Sequence, residues 1–115
     1  MNYKPQPLVN RKLNLIIGLV VFVFTLVIYY LTFARSLSFW DAGEYITCSS
    51  ILGVPHPPGN PFYILLGRFA SIFNFGIPHA QIINYLSSVF SALTVMFTYF
   101  FTVKIISIFL IVVKL

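Results

Sequence analysis

The chain has 115 residues, of which 59% are hydrophobic, 18% are aromatic and only 8% are charged. Soluble domains contain roughly 45–50% apolar and about 25% charged residues, so this composition argues against a soluble globular protein. The net charge of +5 comes from seven Lys and Arg against two acids. These cations form no basic patch, which excludes a nucleic-acid-binding surface of the usual kind. The single cysteine rules out an internal disulfide. The composition predicts an integral membrane protein, with the lipid bilayer as its first partner.

The first membrane segment is predicted over residues 13–34, after a short cytoplasmic tail at 1–12. The run 13–33 carries no charge and would be about 31 Å long as a helix, which matches a hydrocarbon core of roughly 30 Å. A cleaved signal peptide would have a shorter apolar region, about 7–15 residues, and a small-residue cleavage site. The run is longer and ends in bulky aromatic residues, so the pattern favours an uncleaved transmembrane helix.

The second membrane segment is predicted over residues 81–103, closed by Lys104. Small and hydroxylated side chains recur in it at intervals of three and four, which places them on one helix face and is typical of a helix–helix contact in lipid. These residues are Ser87, Ser91, Thr94, Thr98 and Thr102. The apolar run 105–113 is too short to span a bilayer at about 14 Å. Residues 104–115 therefore extend the second helix or begin a further element, and the sequence leads us to expect a truncated chain.

Orientation follows from the distribution of Lys and Arg, because cytoplasmic loops carry an excess of them. A cytoplasmic N-terminus places two of the seven cations, Arg35 and Arg68, on the extracytoplasmic side. The other five then lie on the cytoplasmic side: Lys4, Arg11, Lys12, Lys104 and Lys114. This count predicts an integral, multi-pass membrane protein with loop 36–79 facing the periplasm in a bacterium or a lumen elsewhere.

The connection over residues 35–80 holds both acids and both histidines, and its pattern predicts two short helices. The first is expected from Asp41 to Leu52, with Ser38 as N-cap, Asp41 completing a capping box, and Gly53 at the C-terminal end. The second is expected over 62–75, because Pro61 suits the first turn of a helix and Gly76-Ile77-Pro78 ends it. It should lie along the membrane interface, with Arg68 reaching towards headgroup phosphates.

Asp41 and Glu44 are the only acids in the chain and, at a spacing of three, share one helix face. Acids in a first helical turn are commonplace, because the positive end of the helix dipole stabilises them. The alternative is chemical: a carboxyl group at the water–lipid boundary, next to Trp40, can be tuned for proton transfer. Both interpretations stay open at this point.

His56 stands before two prolines, which fix its backbone, so its ring could face the same cavity as Asp41. Hydrogen bonding to loop carbonyls is an equally good account of it. Two acids and one histidine lack the fixed spacing of a known metal-ligand set, so no metal site is predicted, and no cofactor. Cys48 is expected to serve as a small apolar side chain.

Three motifs together resemble the protein O-mannosyltransferase-like family, multi-pass membrane proteins of the GT-C glycosyltransferase type. They are FWDAGEYI at 39–46, HPPGNP at 56–61 and LGR at 66–68. The resemblance covers about half of the chain, from Ser38 to Phe90. It implies that the chain is the N-terminal part of a GT-C fold: an all-α membrane protein with two transmembrane helices joined by an extracytoplasmic loop.

The resemblance also implies a chemistry and roles for individual residues. Such enzymes transfer a sugar, here mannose, from a polyprenyl-phosphate donor to Ser or Thr hydroxyls of an acceptor protein, with inversion. Asp41 takes the position of the general base, and Glu44 would support it or orient the acceptor. The candidate substrate-binding residues are Trp40, His56 and Arg68, the last two as partners of the leaving phosphate.

Family members carry many more helices than two, so the isolated 115-residue chain is expected to be inactive. One alternative is a small two-helix membrane subunit or scaffold without catalytic activity, in which the serine–threonine stripe forms the partner surface. A second is a transporter fragment in which Asp41 and Glu44 line an ion path. That reading expects charges within the membrane, and both acids fall outside the predicted spans.

Overall fold

The computed structural model describes residues 10–38, 40–57, 59–73 and 75–113. Its regular structure in those residues is entirely α-helical, in the order α1 (Arg11–Thr32), α2 (Ala42–Ile51), α3 (Pro61–Ile72) and α4 (His79–Val113). The all-helical fold class and the pair of short helices between two long ones are confirmed. Most of the predicted tail 1–12, Phe39 and Pro58 of the motifs, and Lys114 lie outside the described residues.

Two helices, α1 and α4, are long and apolar enough to cross a membrane. α1 is preceded by Asn10, whose side-chain Oδ1 accepts the backbone N–H of Lys12 at 2.9 Å, as expected of an N-cap residue. α4 begins directly after Pro78 and runs for 35 residues without interruption. The apolar run after Lys104 therefore continues the second long helix.

The described residues divide into two units, one formed by those up to Ile28 together with those from Ser91 onwards, and the other by Tyr29–Phe90. In the first unit, Gly18 makes room for the ring of Phe100, since a Cβ at Gly18 would overlap the ring carbon Cζ. The hydroxyls of Thr98 and Thr102 each donate to a carbonyl one turn earlier in α4, at 2.8 Å. These two hydroxyls are thus satisfied within their own helix, as an apolar solvent requires.

The second unit holds α2, α3 and the first turns of α4, and its buried centre lies where these helices meet. Ile46, Ile64 and Ile83 are the large apolar side chains buried there. Gly67 of α3 lies against Ser49 of α2, so that a Cβ at Gly67 would come within 2.5 Å of Ser49 Oγ. Small side chains on facing helices let the two backbones approach closely.

The boundaries of the short helices differ in three places from those predicted. The capping box was wrong: Asp41 itself occupies the N-cap position of α2, and its side chain makes no capping hydrogen bond. At the other end, Leu52 adopts the left-handed conformation (φ 57°), while the N–H of Gly53 donates to the Cys48 carbonyl at 2.9 Å. The N–H of Leu52 donates to the same Cys48 carbonyl. α2 therefore ends at Ile51, one residue before the predicted end at Leu52.

α3 also ends earlier than predicted, at Ile72 and not near Phe75. The N–H of Phe73 donates to the Ala70 carbonyl at 3.2 Å, a tight final turn, and Phe75 has a positive φ of 42°. The start of α3 matches the prediction, with Pro61 in its first turn. Its outward face carries exposed apolar side chains: Phe62, Leu65, Phe69, Ile72 and Phe73.

Candidate functional site

The first turn of α2 presents the two acids of the chain. The backbone carbonyl of Asp41 accepts the N–H of Tyr45 at 3.0 Å, so the first backbone hydrogen bond of α2 is made by Asp41. Glu44 follows one turn later on the same face. The Asp41 side chain is 57% exposed, and that of Glu44 is 38% exposed. Both carboxylates are therefore accessible from the loop side of α2.

Glu44 holds His56 at two points. One carboxylate oxygen, Oε1, accepts the backbone N–H of His56 at 2.7 Å, and the other, Oε2, lies 2.6 Å from the ring atom Nδ1. The two residues are 12 positions apart, so the contact fastens the proline-rich loop to the first turn of α2. Both oxygens of Glu44 are thereby committed to one residue.

The pKa values of the pair move in opposite directions for the same reason. The hydrogen bond from the His56 ring, followed by that from its backbone, lowers the pKa of Glu44 below 4.5. The hydrogen bond to Glu44, with the charges of Glu44 and then Asp41, raises the pKa of His56 above 6.5. Each charged form stabilises the other, so the contact favours a carboxylate beside an imidazolium ion.

The second ring nitrogen of His56 faces Asp41, with Nε2 lying 3.8 Å from Oδ2. His56 thus stands between the two carboxylates, hydrogen-bonded to one and at ion-pair distance from the other. Asp41 has no hydrogen bond from its side chain to the helix start, unlike an acid that serves only as a cap. The geometry leaves a carboxylate without a capping hydrogen bond beside a histidine ring that Glu44 holds in place.

The same three residues offer ligand atoms for a metal ion, all within 4.8 Å of one another. Two carboxylates and an imidazole are donor types that several divalent cations accept. The hydrogen bonds between Glu44 and His56 already use both carboxylate oxygens of Glu44 and the Nδ1 atom of His56. A cation bound there would have to compete with this pair.

Arg68 and Trp40 do not join the cluster formed by Asp41, Glu44 and His56. A guanidinium NH of Arg68 donates to the backbone carbonyl of Ser50, in the last turn of α2. The arginine thus satisfies a carbonyl at the end of the helix opposite to Asp41. Trp40 precedes Asp41 in the chain but is 95% exposed and has a positive φ of 61°, a rare conformation for a bulky residue.

A cleft of about 280 Å³ lies beside the cluster, within the Tyr29–Phe90 unit. No sequence pattern predicted this cleft. Its walls include Tyr45 of α2, Tyr63 of α3 and Ser87 of α4, and the hydroxyls of Tyr63 and Ser87 are hydrogen-bonded at 2.7 Å. The stripe containing Ser87 marked this face of α4 as a contact surface. Nothing in the sequence paired it with a tyrosine 24 residues away.

The comparison with known families matches residues 41–112 to the family described as "Protein O-mannosyl-transferase TMEM260 N-terminal domain". The match begins at Asp41 and includes the whole cluster. The chain belongs to the TMEM260 N-terminal domain family. The resemblance to O-mannosyltransferase-like proteins read from the motifs is thereby confirmed.

Two curated relatives are similar to this chain. The mouse protein named Protein O-mannosyl-transferase TMEM260 is 41% identical over 73 residues, which cover 63% of this chain and 10% of the relative. The protein of that name from Dictyostelium discoideum is 32% identical over 94 residues, 77% of this chain and 11% of the relative. The chain thus spans about a tenth of the length of these relatives. No solved structure matches it.

Proposed function

We propose that this chain supplies the catalytic loop of a membrane glycosyltransferase that moves mannose from a polyprenyl-phosphate donor to Ser or Thr hydroxyls of a protein. The observation that carries the proposal is the open carboxylate of Asp41 beside the Glu44–His56 pair, on a segment between two helices of membrane-spanning length. Membership of the TMEM260 N-terminal domain family and the names of the relatives support the reaction class.

In the proposed reaction, Asp41 is the general base. Its carboxylate takes the proton from the acceptor hydroxyl while the hydroxyl oxygen attacks the anomeric carbon. The bond from that carbon to the donor phosphate breaks as the new bond forms, through an oxocarbenium-like transition state, and the lipid phosphate leaves with the electron pair. Attack from the face opposite the phosphate inverts the configuration.

In this scheme His56 acts on the Asp41 carboxylate and does not bind the leaving phosphate. In an inverting displacement, the base and the leaving group stand on opposite faces of the sugar ring. A ring nitrogen 3.8 Å from the base carboxylate lies on the base side. We assign Glu44 and His56 as positioning residues: Glu44 fixes the His56 ring through its Nδ1 atom, and the ring places its Nε2 atom 3.8 Å from the Asp41 carboxylate.

Arg68 has a structural role in this proposal. Its hydrogen bond to the Ser50 carbonyl lies nine residues from Asp41, about 13 Å along the α2 axis. A phosphate departing from a carbon beside Asp41 would be nearer to the first turn of α2 than to the last. The arginine therefore stabilises the end of α2 and not the developing negative charge.

The orientation proposed for the chain places α1 and α4 across the bilayer with the N-terminus in the cytoplasm. The cluster then faces the extracytoplasmic side, where a lipid-linked donor and a translocated acceptor protein would meet. The exposed apolar face of α3 suits a helix lying in the membrane interface, because such helices bury one apolar face at the headgroup level.

Asp41→Asn in the full-length natural protein tests the proposal directly. We expect kcat for mannose transfer to an acceptor peptide to fall about 10²- to 10⁴-fold, the usual contribution of a general base. Because the Asp41 side chain makes no capping hydrogen bond, the amount of folded protein should stay close to that of the wild type. The measurement is transfer of labelled mannose from polyprenyl-phosphate mannose in purified membranes.

Thr47→Ala is the matched control, since Thr47 lies on the same helix, is exposed and donates to the Gly43 carbonyl of its own helix. It should leave both transfer and protein level unchanged. Full activity in Asp41→Asn would overturn the general-base assignment. A large fall in folded protein would instead show that Asp41 acts as a helix-stabilising residue.

A further inference from the structure

We propose that the cleft beside the first turn of α2 binds the sugar ring of the donor, an inference that rests on the proposed function. The cleft has a volume of about 280 Å³ and is bounded by the starts of three helices. Its lining includes five residues that the argument uses: Tyr45, Asn60, Tyr63, Asn84 and Ser87. None of them belongs to the cluster of Asp41, Glu44 and His56.

The size of the cleft favours a single small ring. Sites for drug-sized ligands occupy roughly 300–1,000 Å³, so a cleft of about 280 Å³ lies just below that range. An acceptor peptide would need an extended groove, with room for several residues. One hexose unit suits the available space better.

The aromatic side chains suit a ligand with an apolar ring face. Tyr45 and Tyr63 meet edge to face, with centroids 5.8 Å apart and an interplanar angle of 84°. Both tyrosines line the cleft, so it has two aromatic side chains in its wall. The C–H face of a pyranose packs on the electron-rich face of an aromatic ring, since the C–H hydrogens carry a small positive charge.

The polar side chains suit hydroxyl groups, each of which both donates and accepts. Oδ1 of Asn60 accepts the N–H of Tyr63 at 3.2 Å, which leaves the amide NH₂ of Asn60 without a partner among the described residues. In Asn84 the reverse holds: its NH₂ donates to the carbonyls of Ala34 and Ser36, and Oδ1 stays available as an acceptor within the described part of the chain. The cleft thus offers a fixed donor and a fixed acceptor.

The position of the cleft connects it to the proposed base. Tyr45 follows Asp41 by one helical turn, and the two are joined by a backbone hydrogen bond of 3.0 Å. Residues four apart lie on the same helix face, one above the other. A sugar packed on Tyr45 would therefore lie next to the carboxylate that activates the acceptor.

Sugar binding can be measured without any transfer. The full-length natural protein in detergent micelles is mixed with methyl α-mannoside, and saturation-transfer NMR reports the contact between protein and sugar. We expect a clear signal for the wild type and a several-fold weaker one for Tyr45→Leu, which removes the aromatic face, and for Asn60→Ser. The serine keeps a helix cap while removing the amide donor.

Phe62→Leu is the matched control, because Phe62 is an aromatic residue of α3 that is 72% exposed and does not line the cleft. It should leave the signal unchanged. Equal signals for Tyr45→Leu, Asn60→Ser and Phe62→Leu would overturn the cleft as the sugar site. Because Asn60→Ser preserves the cap, loss of binding in that variant would not reflect failure to fold.

The transfer assay then separates this inference from the proposed function. If the protein transfers mannose, Tyr45→Leu should raise KM for the donor about tenfold and leave KM for the acceptor peptide unchanged. Normal donor KM in that variant would overturn the cleft while the proposed function stands. Sugar binding that depends on Tyr45 in a protein with no transfer activity would support the cleft and overturn the proposed function.

Discussion

The two short helices, α2 and α3, begin in different ways. At the start of α3, Asn60 accepts the N–H of Tyr63 through its side chain, and Pro61 fills the first helical position. At the start of α2, Asp41 occupies the equivalent position without any such bond. Acid side chains at N-caps normally accept one of the free N–H groups of the first turn. α2 lacks that hydrogen bond, and the Asp41 carboxylate stays accessible.

Under the proposed function, the start of α2 leaves its carboxylate for chemistry, whereas Asn60 caps α3 through Oδ1 and keeps its amide NH₂ for the cleft. Residues at functional sites often depart from the locally most stable arrangement, and the surrounding structure compensates. Here the compensation for α2 comes from elsewhere: Arg68 satisfies a carbonyl in its last turn, and Glu44 ties its first turn to His56. Three changes would break or sharpen the comparison.

The largest effect on stability is expected from Gly67→Ala, which acts where α3 holds α2 in place. A Cβ at Gly67 would lie 2.5 Å from Ser49 Oγ and 2.8 Å from Ile83 Cδ1. Ser49 is fully buried, so it cannot move aside into solvent. We expect a loss of about 1–3 kcal/mol, the usual cost of overpacking, measured as a lower Tm in detergent by size-exclusion chromatography of heated samples.

Gly43→Ala provides the control for Gly67→Ala, because its Cβ would meet only Leu37 Cδ2, at an ordinary 3.6 Å. Alanine is favoured over glycine by up to about 1 kcal/mol in a helix interior. Gly43 lies in the first turn of α2, where a smaller gain is expected, so this variant should be neutral or slightly stabilised. An unchanged Tm in Gly67→Ala would show that α2 is held in place by other contacts.

An effect of intermediate size distinguishes the two helix starts directly. Asn60→Ala should reduce the free energy of unfolding by about 1 kcal/mol, because it removes a capping hydrogen bond. Asp41→Ala should cost only about 0.3 kcal/mol, the low end for an exposed charge at a helix dipole. Chemical unfolding of the two variants in the same detergent measures both. Equal losses would mean that Asp41 caps α2 after all.

The smallest effect on stability is expected from pH, because Glu44 and His56 are both exposed to solvent. The interaction that raises the pKa of His56 contributes its full stabilisation below pH 6.5. This contribution is lost as the pH rises through the folded-state pKa of His56. The interaction that lowers the pKa of Glu44 contributes its full stabilisation above pH 4.5. This contribution is lost as the pH falls through the folded-state pKa of Glu44. The contact between the two residues should therefore be strongest between pH 4.5 and 6.5.

Histidine-selective NMR measures this pH dependence residue by residue. The pKa of His56 should lie above 6.5 in the wild type and return towards that value in Glu44→Gln, which keeps the shape but removes the charge. The ring signals of His79, the other histidine of the chain, should be the same in both proteins. A pKa of His56 that is indifferent to Glu44→Gln would contradict the ion pair.

The helical architecture was predictable because its signals are local. Long uncharged runs indicated α1 and α4, and Pro61 after Gly59-Asn60 marked the start of α3. The helix ends were less predictable, because a stop such as that at Leu52 depends on which carbonyl the last N–H groups find. The isolation of Asp41 and Glu44 in the sequence marked the candidate site.

What the sequence could not provide was the pairing across the loop. Glu44 and His56 are 12 positions apart, and no periodicity of the sequence relates them. Only the folded loop brings the ring and the backbone N–H of His56 to the two carboxylate oxygens of Glu44. The cleft likewise depends on Tyr63 meeting Ser87, residues that no periodicity relates. Arg68 was predicted to bind phosphate because of its charge, whereas its observed hydrogen bond is to the Ser50 carbonyl.

The outward position of Trp40 has a practical consequence for spectroscopy. It is the single tryptophan of the chain, it is 95% exposed, and it directly precedes Asp41. Indole emission shifts to shorter wavelength when the ring leaves water for an apolar environment. In the 115-residue chain, Trp40 would thus act as a built-in fluorophore, whose emission colour reports lipid or donor arriving beside Asp41 without any added label.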